Sequence, residues 1–206
     1  MAKAGYDNMH KGSFFRTIVE DWMPLIPQKG TRISKLMRFI YLLSFSSGVH
    51  ALLVYRVANF CHRYYLWPLA ILCRKIIYHY YHMDIWGTTV IGPGHWWPHP
   101  LGIVYSRHAV IGRRVKVYHN VSIVSSGSGA PVIGDFAYLF SGCCIMGGVR
   151  VGRGATIAAH AVVLKDVPDY AVVVGNPATI VRYRTIEEID SEDDQGNLNP
   201  NVRATN

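Results

Sequence analysis

His95 and His99 stand four residues apart in the stretch HWWPHP, and His119 follows in VYHNVS. Imidazole titrates near neutrality, so a histidine beside an alcohol can take the hydroxyl proton and pass it to a leaving group. A carboxylate behind the ring fixes its tautomer and stabilises the imidazolium, and Asp84 lies a short way upstream. His99 also sits where a regular pattern breaks, so the backbone can leave a surface there and project a side chain into a cleft. A plainer alternative stays open, because a single histidine in a loop is most often only exposed to solvent. His95 is expected to line an acceptor pocket or to be exposed. His119 is expected to point outward, where it could face the His99 region of a neighbouring subunit. His160 reads as an outward surface residue, and Cys143 as a small inward side chain rather than a nucleophile.

The pattern that must position these residues begins at Ile85. Its unit is a hexad: an aliphatic residue, often glycine next, and a small or β-branched residue in fifth place. Six consecutive units hold one phase, IGDFAY, LFSGCC, IMGGVR, VGRGAT, IAAHAV and VLKDVP, running from Ile133 to Pro168. Earlier units start at Ile91, Ile111, Val117 and Ile123, and the phase slips at WPHPLG and at SGSGAP, which reads as two insertions. A short repeat with a fixed inward aliphatic position is the signature of a parallel β-helix. Three hexads close one triangular coil, so residues 85–168 predict about four to five coils.

Residues 13–82 read as helical instead. Phe14, Ile18, Trp22 and Leu25 recur at helical spacing, with Pro24 and Pro27 as the stop. An apolar segment from Ile33 to Tyr65 follows, with a break expected at 46–48, and a third helix is expected from about Pro68 to Met83. No stretch reaches the roughly 18 clean apolar residues of a membrane-spanning helix. The basic residues Arg56, Arg63, Arg74 and Lys75 give this bundle either a solvated face or a surface resting on anionic membrane.

Composition narrows the classes. Half of the residues are hydrophobic and 17% are charged, which excludes global disorder. Six of the 13 acids fall after Arg184, leaving 20 basic residues against 7 acidic in residues 1–184. Such an excess calls for a polyanionic partner. A nucleic-acid partner is not expected, since no zinc finger, recognition helix or aromatic RNA-binding signature is present. The polar tail at 185–206 is expected to be disordered. The four cysteines have neither metal-ligand spacing nor a secreted disulfide pattern, and the N-terminus lacks a signal-peptide apolar segment, so a cytoplasmic location is expected.

The hexads, with the segments SSGVHALLVYRVANFCHR, MDIWGTTVIGPG, HWWPHPLGIVYSRHAVIG and VVLKDVPDYAVVVGNPATIVR, resemble the left-handed β-helix acyltransferases. Within that family the chain is most similar to the serine acetyltransferase branch and the related O-acetyltransferases of capsular and exopolysaccharide synthesis. The resemblance covers about residues 45–182. It implies a left-handed parallel β-helix (84–184, with a C-terminal extension) behind an α-helical N-terminal part (1–83). It further implies transfer of an acetyl group from acetyl-CoA to a hydroxyl within a ternary complex, without metal, in a homotrimer or a dimer of trimers. By position, His99 falls on the family's catalytic histidine and Asp84 on its aspartate. Ser141, Gly142, Ala158 and Ala159 fall where the family lays the pantetheine arm, and Lys165, Arg182 and Arg184 where it meets the phosphates.

Two departures bear on the acceptor. Trp86 and Gly87 replace the family's His-Pro after the aspartate, and Gly129 and Ala130 replace an Arg-His pair that helps hold serine. The acceptor expected from these changes is a saccharide hydroxyl of a surface polysaccharide or its precursor. Free serine is the alternative, and a catalytically silent β-helix scaffold is a second one. A zinc site is not expected, because the spacing of His95, His99 and His119 does not match the zinc-binding β-helix enzymes.

Overall fold

The computed structural model describes residues 14–22, 25, 31–185 and 188, so the stop expected at Pro24 and Pro27 and nearly all of the acidic tail lie outside the described residues. Among the described residues four helices come first: α1 (Phe14–Trp22), α2 (Arg32–Phe45), α3 (Ser47–Arg63) and α4 (Trp67–Tyr81). The break expected at 46–48 falls at Ser46, which ends α2 and then caps α3 by accepting the Val49 N–H on its hydroxyl. Pro68 opens α4, where its missing N–H costs nothing, and His82 in the left-handed region closes it.

From Asp84 onward the chain winds as a parallel solenoid with three walls. One wall stacks β1 (Asp84–Ile85), β3 (Val104–Tyr105), β6 (Ser122–Val124), β9 (Cys144–Met146) and β12 (Val162–Val163). A second stacks β2 (Val90–Ile91), β4 (Val110–Ile111), β7 (Val132–Ile133) and β10 (Arg150–Val151). The third stacks β5 (Lys116–Val117), β8 (Tyr138–Leu139), β11 (Thr156–Ile157) and β13 (Ala171–Val174), closed by the antiparallel β14 (Thr179–Tyr183).

The hexad explains this winding. The first and fifth places of each unit point inward, so Ile111, Val117, Ile123, Ile133, Leu139, Ile145, Val151 and Ile157 stack with Ala137, Cys143, Ala155 and Ala161 in one buried column. Alternating large and small inward residues fill the narrow triangle, and each fully buried Val or Ile contributes about 1.5–3 kcal/mol. Cys143 takes the inward place expected for it, and burial pushes its thiol up to about 12.

A solenoid leaves an open end, and here α3 plugs it. Ala51, Leu52 and Tyr55 pack on Ile85, Ile91 and Trp97, and the Tyr55 hydroxyl donates to the Thr89 carbonyl at 2.6 Å. Gly48 sits against the Trp97 carbonyl, where any Cβ would collide with backbone. The plug is locked by charge. Arg56 donates to both oxygens of Asp21 (2.8 and 3.0 Å) and to the carbonyls of Ile91 (2.6 Å) and Gly92 (2.8 Å). Asp21 also accepts the Gly94 N–H at 2.7 Å, tying α1 to the first coil. Burial lifts the Asp21 carboxyl above its ordinary range, and the Arg56 charge opposes that lift.

Arg56 is therefore no part of a basic surface, contrary to the sequence expectation: it is buried and fully engaged. Arg74 is likewise committed, to Asp84 and to the face of Trp86. Of the four cations expected to form one basic face, only Arg63 and Lys75 are exposed.

Candidate active site

The third wall ends each coil in a turn that presents a column of side chains outward. Register along β5, β8 and β11 places Tyr118, Phe140 and Ala158 one above another. His119, Ser141 and Ala159 follow, and then a left-handed turn residue: Asn120 (φ 57°), Gly142 (72°) and His160 (59°). Backbone bonds knit the column, with Gly142 N–H donating to the His119 carbonyl at 3.1 Å and His160 N–H to the Ser141 carbonyl at 3.0 Å. Gly142 is required there, because its φ is positive and a Cβ would meet the His160 ring.

The first insertion lies at the top of this column. Pro98 and Pro100 flank His99 and stiffen the loop as it leaves the wall, and the Leu101 N–H closes it onto the His99 carbonyl at 2.9 Å. Pro100 is buried while His99 stands exposed, so the loop is anchored and the imidazole is displayed. The His99 and His119 rings meet edge to face with centroids 6.2 Å apart. His119 Nδ1 lies 3.3 Å from the Ser141 hydroxyl. His119 thus points outward as expected, but its neighbour is the His99 of its own chain. Beside them Tyr118 and Phe140 stack at 5.1 Å with planes 9° apart, and Lys116 reaches over Trp96 (4.2 Å) and Tyr118 (5.1 Å).

Asp84 opens β1 and gives its Oδ1 to Arg74 Nη2 at 2.7 Å rather than to His99. Trp86 lies between two guanidinium groups, Arg74 at 3.8 Å and Arg107 at 4.1 Å from its ring centre. An indole in place of the family's imidazole thus holds the cation that holds the aspartate. Asp84 Oδ2 is left for a second donor.

His95 is the clear correction. It is not exposed; it is buried inside the first coil against Trp97 and Tyr105. Trp97 Nε1 donates to the Tyr105 hydroxyl at 3.1 Å, and that hydroxyl lies 3.4 Å from His95 Nε2, while His95 Nδ1 has no partner. Burial, and then the Arg56 charge, hold His95 well below its ordinary pKa, so it is a neutral core residue. The signal was in the hexad IGPGHW, where His95 occupies the inward fifth place.

Ser141 and Ala158 are partly open and Ala159 is exposed along the column. The cations expected to meet phosphates are less uniform. Lys165 is exposed, but Arg182 pairs with Glu188 at 2.9 Å, and Arg184 donates to the Gly154 carbonyl at 3.2 Å while lying over Tyr138. Among the described residues no three His, Cys, Asp or Glu side chains converge as a metal site. At the second insertion Gly129 sits in a tight Ser126–Gly129 hairpin, where the Ser128 hydroxyl accepts the Gly148 N–H at 3.1 Å.

The description "bacterial transferase hexapeptide (six repeats)" matches residues 130–165. Serine acetyltransferase 2 of Arabidopsis thaliana is 38% identical over 152 residues, covering 69% of this chain and 45% of its own. The chain thus spans less than half the length of that plant relative. The serine acetyltransferase of Bacillus pumilus is 31% identical over 172 residues, covering 82% of this chain and 77% of its own. A solved serine acetyltransferase in complex with CoA superposes with a TM-score of 0.71 at 27% identity, over 82% of this chain and 70% of that one. The solenoid is the left-handed β-helix of these proteins. The chain belongs to the hexapeptide-repeat acyltransferases, in the branch that holds the serine acetyltransferases.

Proposed function

We propose that this protein is an acetyl-CoA-dependent O-acetyltransferase. The observation that carries the reading is the display of His99 on a proline-braced loop at the head of the His119–Ser141–Ala159 column. His99 removes the proton of the acceptor hydroxyl as that oxygen attacks the thioester carbonyl, and returns it to the departing CoA thiolate. The bond formed is the acetyl ester and the bond broken is the acetyl thioester. For Asp84 to orient His99, the exposed ring turns toward the oxygen that Arg74 leaves open. His119, backed by Ser141, borders the reacting hydroxyl. The pantetheine arm lies along Ser141, Gly142, Ala158 and Ala159, and Lys165 is the cation best placed for phosphate. Arg182 and Arg184 contribute once they leave Glu188 and Gly154. A trimer, as is usual for this fold, would complete each site from a neighbouring subunit.

The relatives favour L-serine as the acceptor over the saccharide expected from the sequence, since both relatives and the solved structure bear the serine acetyltransferase name. A saccharide remains as a second reading on two observations. The Tyr118–Phe140 stack offers a flat apolar platform beside His119, and Gly129 and Ala130 present no side chain that would pair with a carboxylate. Free-thiol release from acetyl-CoA, measured against L-serine and a panel of mono- and oligosaccharides, separates them. A clear kcat/KM advantage for serine establishes the first reading; turnover on saccharides alone establishes the second.

A further inference from the structure

Two cations share one indole at the outer face of the first coil. Asp84 and Trp86 flank the buried Ile85, and both are partly open to solvent. Arg74 reaches across them, with Nη2 2.7 Å from Asp84 Oδ1 and its guanidinium 3.8 Å from the Trp86 ring centre. Arg107 lies over the same indole at 4.1 Å, so its guanidinium is one ring removed from the group that grips Asp84. The two cations differ in what they hold. Arg74 is paired, whereas Arg107 is exposed and, among the described residues, its guanidinium meets no carboxylate and no carbonyl. The Arg107 backbone is nonetheless fixed. Thr88 donates its hydroxyl to the Arg107 carbonyl at 3.3 Å, and Thr89 donates to the Ser106 carbonyl at 3.2 Å. A guanidinium laid on an aromatic face keeps its N–H edge open, and that edge matches a carboxylate through two parallel bonds. Holding the plane in advance lowers the ordering cost of such a contact.

We propose that Arg107, held on Trp86, binds a carboxylate of the acceptor and so sets acceptor specificity. The inference rests on the acetyl-transfer reading and names the chemistry that the acceptor carries beside its hydroxyl. That carboxylate belongs either to an amino acid such as L-serine or to a uronic-acid saccharide. The second insertion leaves the role open, because Gly129 and Ala130 have no side chain that pairs with a carboxylate. Charge points the same way. Asp84 answers the charge of Arg74, while Arg107 has no acid partner among the described residues. A positive charge so placed favours an anionic acceptor over a neutral one of the same shape. Trp86 is the positioning residue of this arrangement: both of its faces carry cations, so it orients Arg107 and offers no face to a sugar ring.

Matched acceptor pairs test it in wild type and Arg107→Gln: L-serine against L-serinamide, and D-glucuronate against D-glucose, each read by thiol release from acetyl-CoA. Wild type should favour the carboxylate member of one pair, and that pair identifies the source of the carboxylate. Arg107→Gln should raise the KM for that member by about ten- to a hundredfold and leave its uncharged counterpart unchanged. Arg107→Lys should recover part of the loss, since it keeps the charge without the planar edge. No preference for either carboxylate in wild type overturns the proposal, and so does an equal effect of Arg107→Gln on both members of the pair. Ligand-observed NMR in the presence of CoA reads binding apart from turnover. Carboxylate binding that Arg107→Gln removes supports the inference even where no thiol is released, an outcome that counts against acetyl transfer alone. Wild type that binds neither carboxylate overturns it. An Arg107→Gln protein of lower oligomeric order by light scattering also overturns it, because Arg107 would then be a contact between copies.

Discussion

Arg74 and Asp84 form an ion pair at 2.7 Å, and the same guanidinium rests on the face of Trp86. Asp84 is thus held from behind by a residue of the helical segment, which ties α4 to the first coil. Arg74→Gln should let the carboxylate swing and lower kcat by up to about tenfold, with the KM for acetyl-CoA unchanged. Arg74→Lys should recover part of that loss, because it keeps the charge but not the stacked, planar geometry. Equal kcat for wild type and Arg74→Gln would show that Asp84 does not act on the reacting centre.

The buried pair between Arg56 and Asp21 should be the most sensitive polar contact in the fold. Arg56→Met strands a buried carboxylate together with the carbonyls of Ile91 and Gly92. Loss of one partner of such a pair costs about 3–5 kcal/mol. Denaturant unfolding reads this directly, and a loss below about 1 kcal/mol would contradict the role of the pair in locking the plug.

His95 should leave a mark on the pH dependence of stability. Its folded pKa lies below the unfolded value of 6.5. Below that value the unfolded chain takes up a proton that the folded site refuses. Stability from this residue is therefore intact above 6.5 and falls with pH toward the folded pKa, at up to about 1.4 kcal/mol per pH unit. His95→Ala, which matches Ala137, Ala155 and Ala171 in the same column, should remove this component although it opens a cavity. The stability gap between wild type and variant should be constant at neutral pH and shrink on acidification. A gap that does not change with pH would mean that His95 is not held neutral.

Much of this fold could be read directly from the hexads. The inward places from Ile111 to Ile123 and from Ile133 to Val163 follow from phase alone, because a residue's place in a strict repeat determines its wall and its direction. The two insertions also lay where the phase slipped. His95 was missed although its fifth-place position was available, since the insertion beside it suggested a loop. Arg56 and Asp21 are 35 residues apart on separate helices, and Arg182 finds Glu188 beyond the solenoid. Such pairings depend on tertiary placement and leave no local pattern. Arg74 was legible as a cation but not as the partner of Asp84, because only the docking of α4 beside β1 brings the two together.

His99 is the proposed base for acetyl transfer to a hydroxyl. The measurement that bears on it most directly is the turnover of His99→Ala, read as thiol release from acetyl-CoA with the acetyl ester confirmed by mass. If His99 takes the proton, kcat should fall by about 10²–10⁴ with acetyl-CoA binding by calorimetry unchanged. Near-wild-type turnover by a folded His99→Ala protein of unaltered oligomeric state would contradict it.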